Sequence, residues 1–82
     1  MFRVLVTQRA LKDLKKIDQE IQYKIAAKLN EYAREPLKYA RKLINPKIGT
    51  YRYRIGDYRV IFDIDNEIMV ILRIGHRRSI YK

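Results

Sequence analysis

The sequence contains no cysteine and only one histidine, and these two shortages exclude whole classes of site. Without cysteine the chain can form neither a disulfide nor a thiolate metal centre. One histidine supplies too few nitrogen ligands for a conventional zinc site. We therefore expect no bound metal and no other cofactor.

Long apolar segments are missing as well. No run approaches the roughly 18 residues that suggest a membrane-spanning helix. The N-terminus from Met1 to Thr7 lacks the apolar core and small-residue cleavage site of a signal peptide. These features predict a cytoplasmic protein that does not enter a membrane. The 82 residues have room for one domain, residues 1–82, whose function should lie on a surface or in a shallow concavity.

Acidic residues are few, and this imbalance is the most informative part of the composition. Nine Asp and Glu stand against nineteen Lys and Arg, which gives a net charge of +10. A domain this basic usually binds a polyanion: RNA, DNA, an anionic membrane surface or an acidic protein. A merely solubilising surface charge is the alternative, and the placement of the charges argues against it.

The apolar periodicity predicts the element order β-α-α-β-β-β. Thr7 and Asp18 suit the N-caps of two closely joined helices. The segment 35–48 is less regular and has room for one further helical turn. Three consecutive strands with short turns form an antiparallel meander, and the helical hairpin can cover one face of it, which is an α+β fold. The predicted strands are 2–6, 51–55, 58–64 and 68–74, and the predicted helices are 8–16 and about 19–34.

Strand alternation determines which side chains share a face of the sheet. The three strands of the meander each carry an apolar set, and these sets must face the helices: Tyr51, Tyr53 and Ile55; Tyr58, Val60, Phe62 and Ile64; Ile68, Val70, Leu72 and Ile74. Four arginines then share the open face: Arg52, Arg54, Arg59 and Arg73.

An arginine-lined sheet face suits phosphate binding. Like charges on one face repel each other, so an incidental arrangement is disfavoured. The guanidinium group donates two parallel hydrogen bonds to a phosphate and stays protonated near neutral pH. Two alternatives remain: a solvated face that discourages edge pairing, and, for Arg73, an ion pair with Asp63 across the sheet.

Two segments, Tyr51 to Phe62 and Arg73 to Tyr81, resemble the RelE branch of the RelE/ParE toxin superfamily. The resemblance extends over essentially the whole chain. It implies a RelE-like, microbial-RNase-like fold and the toxin role in a type II toxin–antitoxin system. It further implies cleavage of mRNA in the A site of the translating ribosome. The implied partners are the ribosome, mRNA and an acidic RelB-like antitoxin, bound in a heterotetramer or higher complex.

The resemblance also implies roles for individual residues. The implied catalytic residues are Arg59, Arg77 and Tyr81, and the implied RNA-binding residues are Arg52 and Arg54. The residue chemistry adds His76 as a further catalytic candidate. The sheet face and the C-terminal cluster of cations add Arg73 and Arg78 as further RNA-binding candidates. No metal is required by this chemistry.

The chain departs from the family pattern at two places that concern proton transfer. It has arginines on the second strand where some members have lysines, and arginine is a poor base because its guanidinium group stays protonated near neutral pH. It also has His76 where better-studied members have lysine. His76 is therefore a candidate general base or acid, and Tyr81 is a second candidate. The alternatives are a histidine without a catalytic role and a C-terminal tyrosine that only packs.

Two other functions remain open at this point. One is ParE-like inhibition of DNA gyrase on the same fold, and the other is RNA or ribosome binding without catalysis. The sheet arginines, together with Arg77 and Tyr81, favour the nuclease, because a gyrase inhibitor does not need to grip phosphate. The net charge further predicts an acidic partner whose helix docks by its apolar face.

Overall fold

A five-stranded sheet and three helices are present in the computed structural model, which describes residues 2–43 and 49–80. The sheet order is β1-β5-β4-β3-β2, with β1 parallel to β5 and every other pair antiparallel. The elements are β1 (Arg3–Val6), α1 (Gln8–Lys15), α2 (Gln19–Tyr32), α3 (Pro36–Tyr39), β2 (Arg41–Lys42), β3 (Tyr51–Ile55), β4 (Tyr58–Asp65) and β5 (Ile68–His76).

The predicted α+β class and the β3-β4-β5 meander are confirmed. Two details differ from the prediction: the sheet is mixed, because β1 joins it in parallel, and the segment after α2 contains both α3 and the short strand β2. Residues 44–48 of the irregular segment lie outside the described residues. No helix among the described residues is long and apolar enough to cross a membrane.

Thr7 ties the first helix to the sheet. Its hydroxyl accepts a hydrogen bond from the Ala10 amide (3.2 Å) and donates one to the Ile71 carbonyl (2.8 Å). The predicted N-cap is thus confirmed, and the same side chain also holds α1 against β5. Asp18 occupies the N-cap position of α2 but makes no side-chain cap hydrogen bond.

The core lies between one face of the sheet and the helices α1 and α2. Ile25 and Leu29 of α2 are buried, and Ile21 and Tyr32 are partly buried beside them, so the predicted apolar stripe is confirmed. The buried residues of this cluster are Ala10, Ile25, Leu29, Ala33, Tyr53, Val60, Phe62, Met69, Ile71 and Ile74.

The core-facing side of β5 differs from the prediction. Met69 and Ile71 are fully buried among the core residues, whereas Val70 and Leu72 are only partly buried on the other side. The predicted inward set is therefore wrong at Ile68, Val70 and Leu72 and right at Ile74.

A β-bulge explains this change of face. Phe62 of β4 lies opposite Ile71, but the preceding residue, Ile61, lies opposite Arg73, so Leu72 is an extra residue in β5. Strict alternation from Met69 and Ile71 would have pointed Arg73 into the core. The extra residue reverses the alternation, which buries Ile74 and keeps the Arg73 charge out of the core.

Asp13 of α1 covers the edge of β5 that β1 does not reach. β1 pairs with β5 only as far as Ile71. Beyond that point, Asp13 Oδ2 accepts hydrogen bonds from the Ile74 amide (3.1 Å) and from Nε of Arg73 (2.8 Å). The Asp13 carboxylate thus accepts the β5 backbone hydrogen bond that a neighbouring strand would otherwise accept.

Opposing influences set the pKa of Asp13. Burial of the carboxyl raises the pKa, whereas the Arg73 hydrogen bond, the Ile74 amide and the charges of Arg73 and Arg9 lower it. The lowering influences prevail, and the pKa falls below its usual 3.8. The ionised carboxylate therefore stabilises the folded state.

Tyr53 is a central packing residue, as its predicted inward orientation requires. Its ring lies 4.6 Å from Tyr32 and 4.4 Å from Phe62, and its hydroxyl donates to the Pro36 carbonyl at 2.8 Å. Burial raises the pKa of Tyr53, and the neighbouring Tyr32 raises it further, so the hydroxyl remains a donor.

We expect Tyr53→Phe to lower stability by about 1–2 kcal/mol, because the buried Pro36 carbonyl loses its donor. For a domain of this size, each kcal/mol corresponds to about 4–8 °C in Tm. Thermal unfolding followed by circular dichroism measures the shift. Tyr23→Phe is the matched control, since the Tyr23 hydroxyl bonds to Gln19 on the exposed surface. Equal shifts for the two variants would contradict a specific role for the buried bond.

Candidate nucleic-acid interface

Arginines meet in two cross-strand pairs on the sheet face away from the helices. Arg54 of β3 lies directly opposite Arg59 of β4, and Arg52 of β3 lies directly opposite Arg41 of β2. Neighbouring strands are about 4.8 Å apart, so these are close like-charge pairs. We call the four residues Arg41, Arg52, Arg54 and Arg59 the arginine face.

Three members of the arginine face agree with the sequence-based placement, and Arg41 is an addition. Arg52, Arg54 and Arg59 share one side of the sheet, as strand alternation predicts. Sequence reasoning missed Arg41 because a strand of two residues has no period to detect. Only its pairing with Arg52 shows that it belongs to this face.

Arg59 is held firmly and is mostly buried. Its Nη1 donates to the carbonyl oxygens of Gly56 and Tyr58, both at 2.9 Å, and the residue is only 5% exposed. Its neighbour across the sheet on β5 is Gly75. Ile80 packs against Gly75 so closely that a β-carbon there would lie 2.9 Å from Ile80 Cδ1. The turn after β5 therefore folds back beside Arg59.

The arginine face ends at an apolar patch. Ile61 is fully buried although its neighbours along β4 show that it points away from the helices. Gly49 lies against Ile61 and Leu72, and a β-carbon at Gly49 would collide with the Ile61 side chain. The chain entering β3 thus covers the middle of the sheet, which separates the arginine face from Arg73.

Arg73 does not join the arginine face. It pairs in register with Ile61, but its guanidinium is bonded to Asp13 at the sheet edge. The alternative pairing with Asp63 is wrong, since Asp63 Oδ1 instead accepts from the Thr50 amide at 2.7 Å. The bulge brings Arg73 to the edge, where α1 supplies its partner.

Arg77 lies at the same end of the sheet as the Arg54–Arg59 pair. Its amide donates to the carbonyl of Asp57 (2.8 Å), which belongs to the turn between β3 and β4. Its Nε is 3.7 Å from the Asp57 carboxylate, but both side chains are at least half exposed, so this ion pair is weak. The guanidinium can therefore reorient toward a ligand.

His76 lies on the other side of the sheet. It is paired in register with Tyr58, whose ring packs against the core, and the two rings meet edge to face at 5.5 Å. His76 Nδ1 accepts a hydrogen bond from the amide of Arg78, whose side chain is exposed. The structure thus brings Arg77, but not His76, close to the arginine face. Tyr81 lies outside the described residues.

Comparison with known proteins fits this architecture. The sequence model described as "ParE toxin of type II toxin-antitoxin system, parDE" matches residues 4–81. The chain belongs to this toxin family. The chain is also 34% identical to Toxin RelG of Mycobacterium tuberculosis, over 99% of this chain and 97% of the relative. It is 30% identical to Toxin RelE3 of Methanocaldococcus jannaschii, over 96% and 94%.

Solved structures agree with a RelE-type toxin. The toxin–antitoxin complex RelBE2 of Mycobacterium tuberculosis contains a chain that is 33% identical, with a TM-score of 0.83 over 93% of this chain and 98% of that one. The archaeal RelE–RelB complex of Pyrococcus horikoshii OT3 gives 25% identity and a TM-score of 0.76, over 95% and 97%. The RelE-type toxin fold implied by the two sequence motifs is therefore confirmed.

Proposed function

We propose that this RelE-type toxin is a metal-independent endoribonuclease that cuts mRNA on the translating ribosome. The observation that carries the proposal is the direct pairing of Arg54 with Arg59 beside the Arg41–Arg52 pair. The two adjacent pairs concentrate positive charge on one side of the sheet. This charge would attract a phosphate backbone, which the forked guanidinium groups would hold.

The proposed reaction is attack of a ribose 2′-hydroxyl on the adjacent phosphate. The P–O bond to the 5′-oxygen of the next nucleotide breaks, which leaves a cyclic phosphate and a free 5′-hydroxyl. Arg59 and Arg77 stabilise the negative charge that develops on the phosphorane, while Arg52 and Arg54 hold the backbone. The carbonyls of Gly56 and Tyr58 fix Arg59 before the substrate arrives, and such preorganised charge is the most effective kind.

Proton transfer needs residues other than the arginines that stabilise charge. His76 and Tyr81 are the two candidate proton carriers. His76 is on the Tyr58 side of β5, so direct contact would require the RNA to pass around the end of the sheet. The rate of cleavage at saturating toxin separates the candidates: His76→Gln should lower it if His76 carries a proton, and Tyr81→Phe should lower it if Tyr81 does.

An acidic RelB-like antitoxin is the proposed partner. The similar structures from Mycobacterium tuberculosis and Pyrococcus horikoshii are complexes of toxin with antitoxin. The charge of +10 favours an acidic protein that covers the arginine face, in a heterotetramer or higher complex. Co-purification of the toxin with the product of a neighbouring reading frame tests this, and separate elution at low salt argues against it.

Primer extension on a message under translation tests the proposed activity. We expect new 5′ ends of the downstream fragments at codons in the ribosomal A site when the toxin is present, and none when ribosomes are omitted. An uncut message with normal elongation would refute nuclease function. A DNA supercoiling assay in parallel tests the gyrase alternative, which the ParE description of the family makes relevant.

A further inference from the structure

Arg41 is an exposed arginine on the outer strand of the sheet. Among the described strands, β2 is paired with β3 alone, with Arg41 opposite Arg52 and Lys42 opposite Tyr51. Arg41 therefore points to the same side as Arg52, and it lies at the open rim of the arginine face. This geometry adds a cation one strand beyond the residues that the sequence motifs identify.

The surroundings of Arg41 differ from those of the ion-paired arginines. Arg9, Arg73 and Arg77 each lie within 4.0 Å of an aspartate. Within residues 2–43 and 49–80, no carboxylate lies that close to Arg41 or Arg54. Arg41 thus lies opposite another arginine, and no carboxylate of the described residues forms an ion pair with the Arg41 guanidinium.

We propose that Arg41 binds a second backbone phosphate of the single-stranded RNA, next to the one held by Arg52. The proposal rests on the proposed function and deepens it, because it extends the RNA path across β2. From Arg59 to Arg41 the face crosses two strand spacings, about 10 Å. A row of this width, with side chains that reach several ångströms further, can contact successive phosphates of one strand.

Arg41 contributes to binding and not to the chemical step. It is separated from Arg59 by the whole of β3, so it remains remote from the phosphorane that Arg59 stabilises. Its loss should therefore weaken RNA binding without changing the rate of cleavage of bound RNA. Its loss should also leave the fold intact, since it removes one member of a repulsive cross-strand pair.

Binding of a fluorescent single-stranded hexanucleotide RNA to the full chain, measured by anisotropy over a range of salt concentrations, tests the proposal. We expect Arg41→Ala to weaken binding about tenfold at low salt. The slope of log K against log salt should decrease by about 0.7, the value for one phosphate contact on a single strand. The Tm should be unchanged or slightly higher.

Arg3→Ala is the matched control. Arg3 is also exposed, lies on the opposite edge strand and points to the same side of the sheet, because it is paired with Ile68. It is about 19 Å away across four strand spacings. Equal loss of affinity in both variants would show a general effect of net charge and would overturn the proposal. Absence of RNA binding by the wild type would also overturn it.

The same variants in the primer-extension assay separate this proposal from the proposed function. Arg41→Ala should raise the toxin concentration needed for half-maximal cleavage and leave the rate at saturation unchanged. A normal half-maximal concentration overturns the role of Arg41 while nuclease function stands. If the wild type leaves the message uncut, the nuclease proposal fails, and the oligonucleotide titration still decides whether Arg41 binds RNA.

Discussion

Replacing Arg59 with alanine should reduce the rate of mRNA cleavage by about 100- to 1000-fold, the effect of removing one preorganised charge-stabilising donor. Arg59 is fixed by the Gly56 and Tyr58 carbonyls and lies between Arg54 and Gly75 in the sheet, so its charge is held in place before the RNA binds. Primer extension with saturating toxin measures the rate.

A second variant keeps this prediction testable if Arg59→Ala folds poorly. Arg54 is exposed and directly opposite Arg59, so Arg54→Ala removes a phosphate contact without disturbing buried groups. We expect it to lower cleavage about tenfold with an unchanged Tm. Arg34→Ala removes the same charge from the turn after α2 and should have no effect on cleavage. Full activity of a folded Arg59→Ala would refute the assignment of charge stabilisation to Arg59.

Replacing Asp13 with asparagine should destabilise the fold by about 2–3 kcal/mol at neutral pH. The change leaves the guanidinium of Arg73 without its charged partner and weakens the acceptor of the Ile74 amide. With about 4–8 °C per kcal/mol, the Tm should fall by roughly 8–24 °C. Asp57→Asn is the matched control, because the ion pair of Asp57 with Arg77 is exposed and contributes about 0–1 kcal/mol.

The effect of Asp13→Asn should depend on pH in a defined direction. The pKa of Asp13 is lowered in the folded state, so its stabilisation is complete above its usual pKa of 3.8. It is lost as the pH falls through the folded pKa. Chemical denaturation at pH 7 and near pH 2 should show the two stability curves converging in acid. A constant difference between wild type and variant would contradict a stabilising carboxylate charge.

The sequence identified most of the arginine face because the relevant strands have strict alternation. Arg52 and Arg54 occupy alternate positions of β3. Arg59 follows a two-residue turn, and this turn sets the register between β3 and β4. Thr7 was predictable for a similar reason, since a helix N-cap is a local feature. The segments from Tyr51 to Phe62 and from Arg73 to Tyr81 carried enough information to indicate the toxin family.

Features that depend on contacts between distant segments were not predictable. Leu72 belongs to an alternating apolar set that predicts the wrong face of β5. Only the pairing of Arg73 with Ile61 and of Ile71 with Phe62 reveals the bulge. The partner of Arg73 is Asp13, sixty residues earlier, and no local pattern selects it over Asp63. The position of Arg41 on the arginine face follows only from the two-residue pairing of β2 with β3.

By itself, the sequence determined the basic charge, the order of the principal elements and the positions of Arg52, Arg54 and Arg59, because local periodicity sets all of these. The tertiary structure alone decided that Arg41 joins the arginine face, that Arg73 leaves it for Asp13, and that His76 points to the other side. Those placements depend on strand register and on a single bulge, and both are set by pairing between segments that are far apart in the chain.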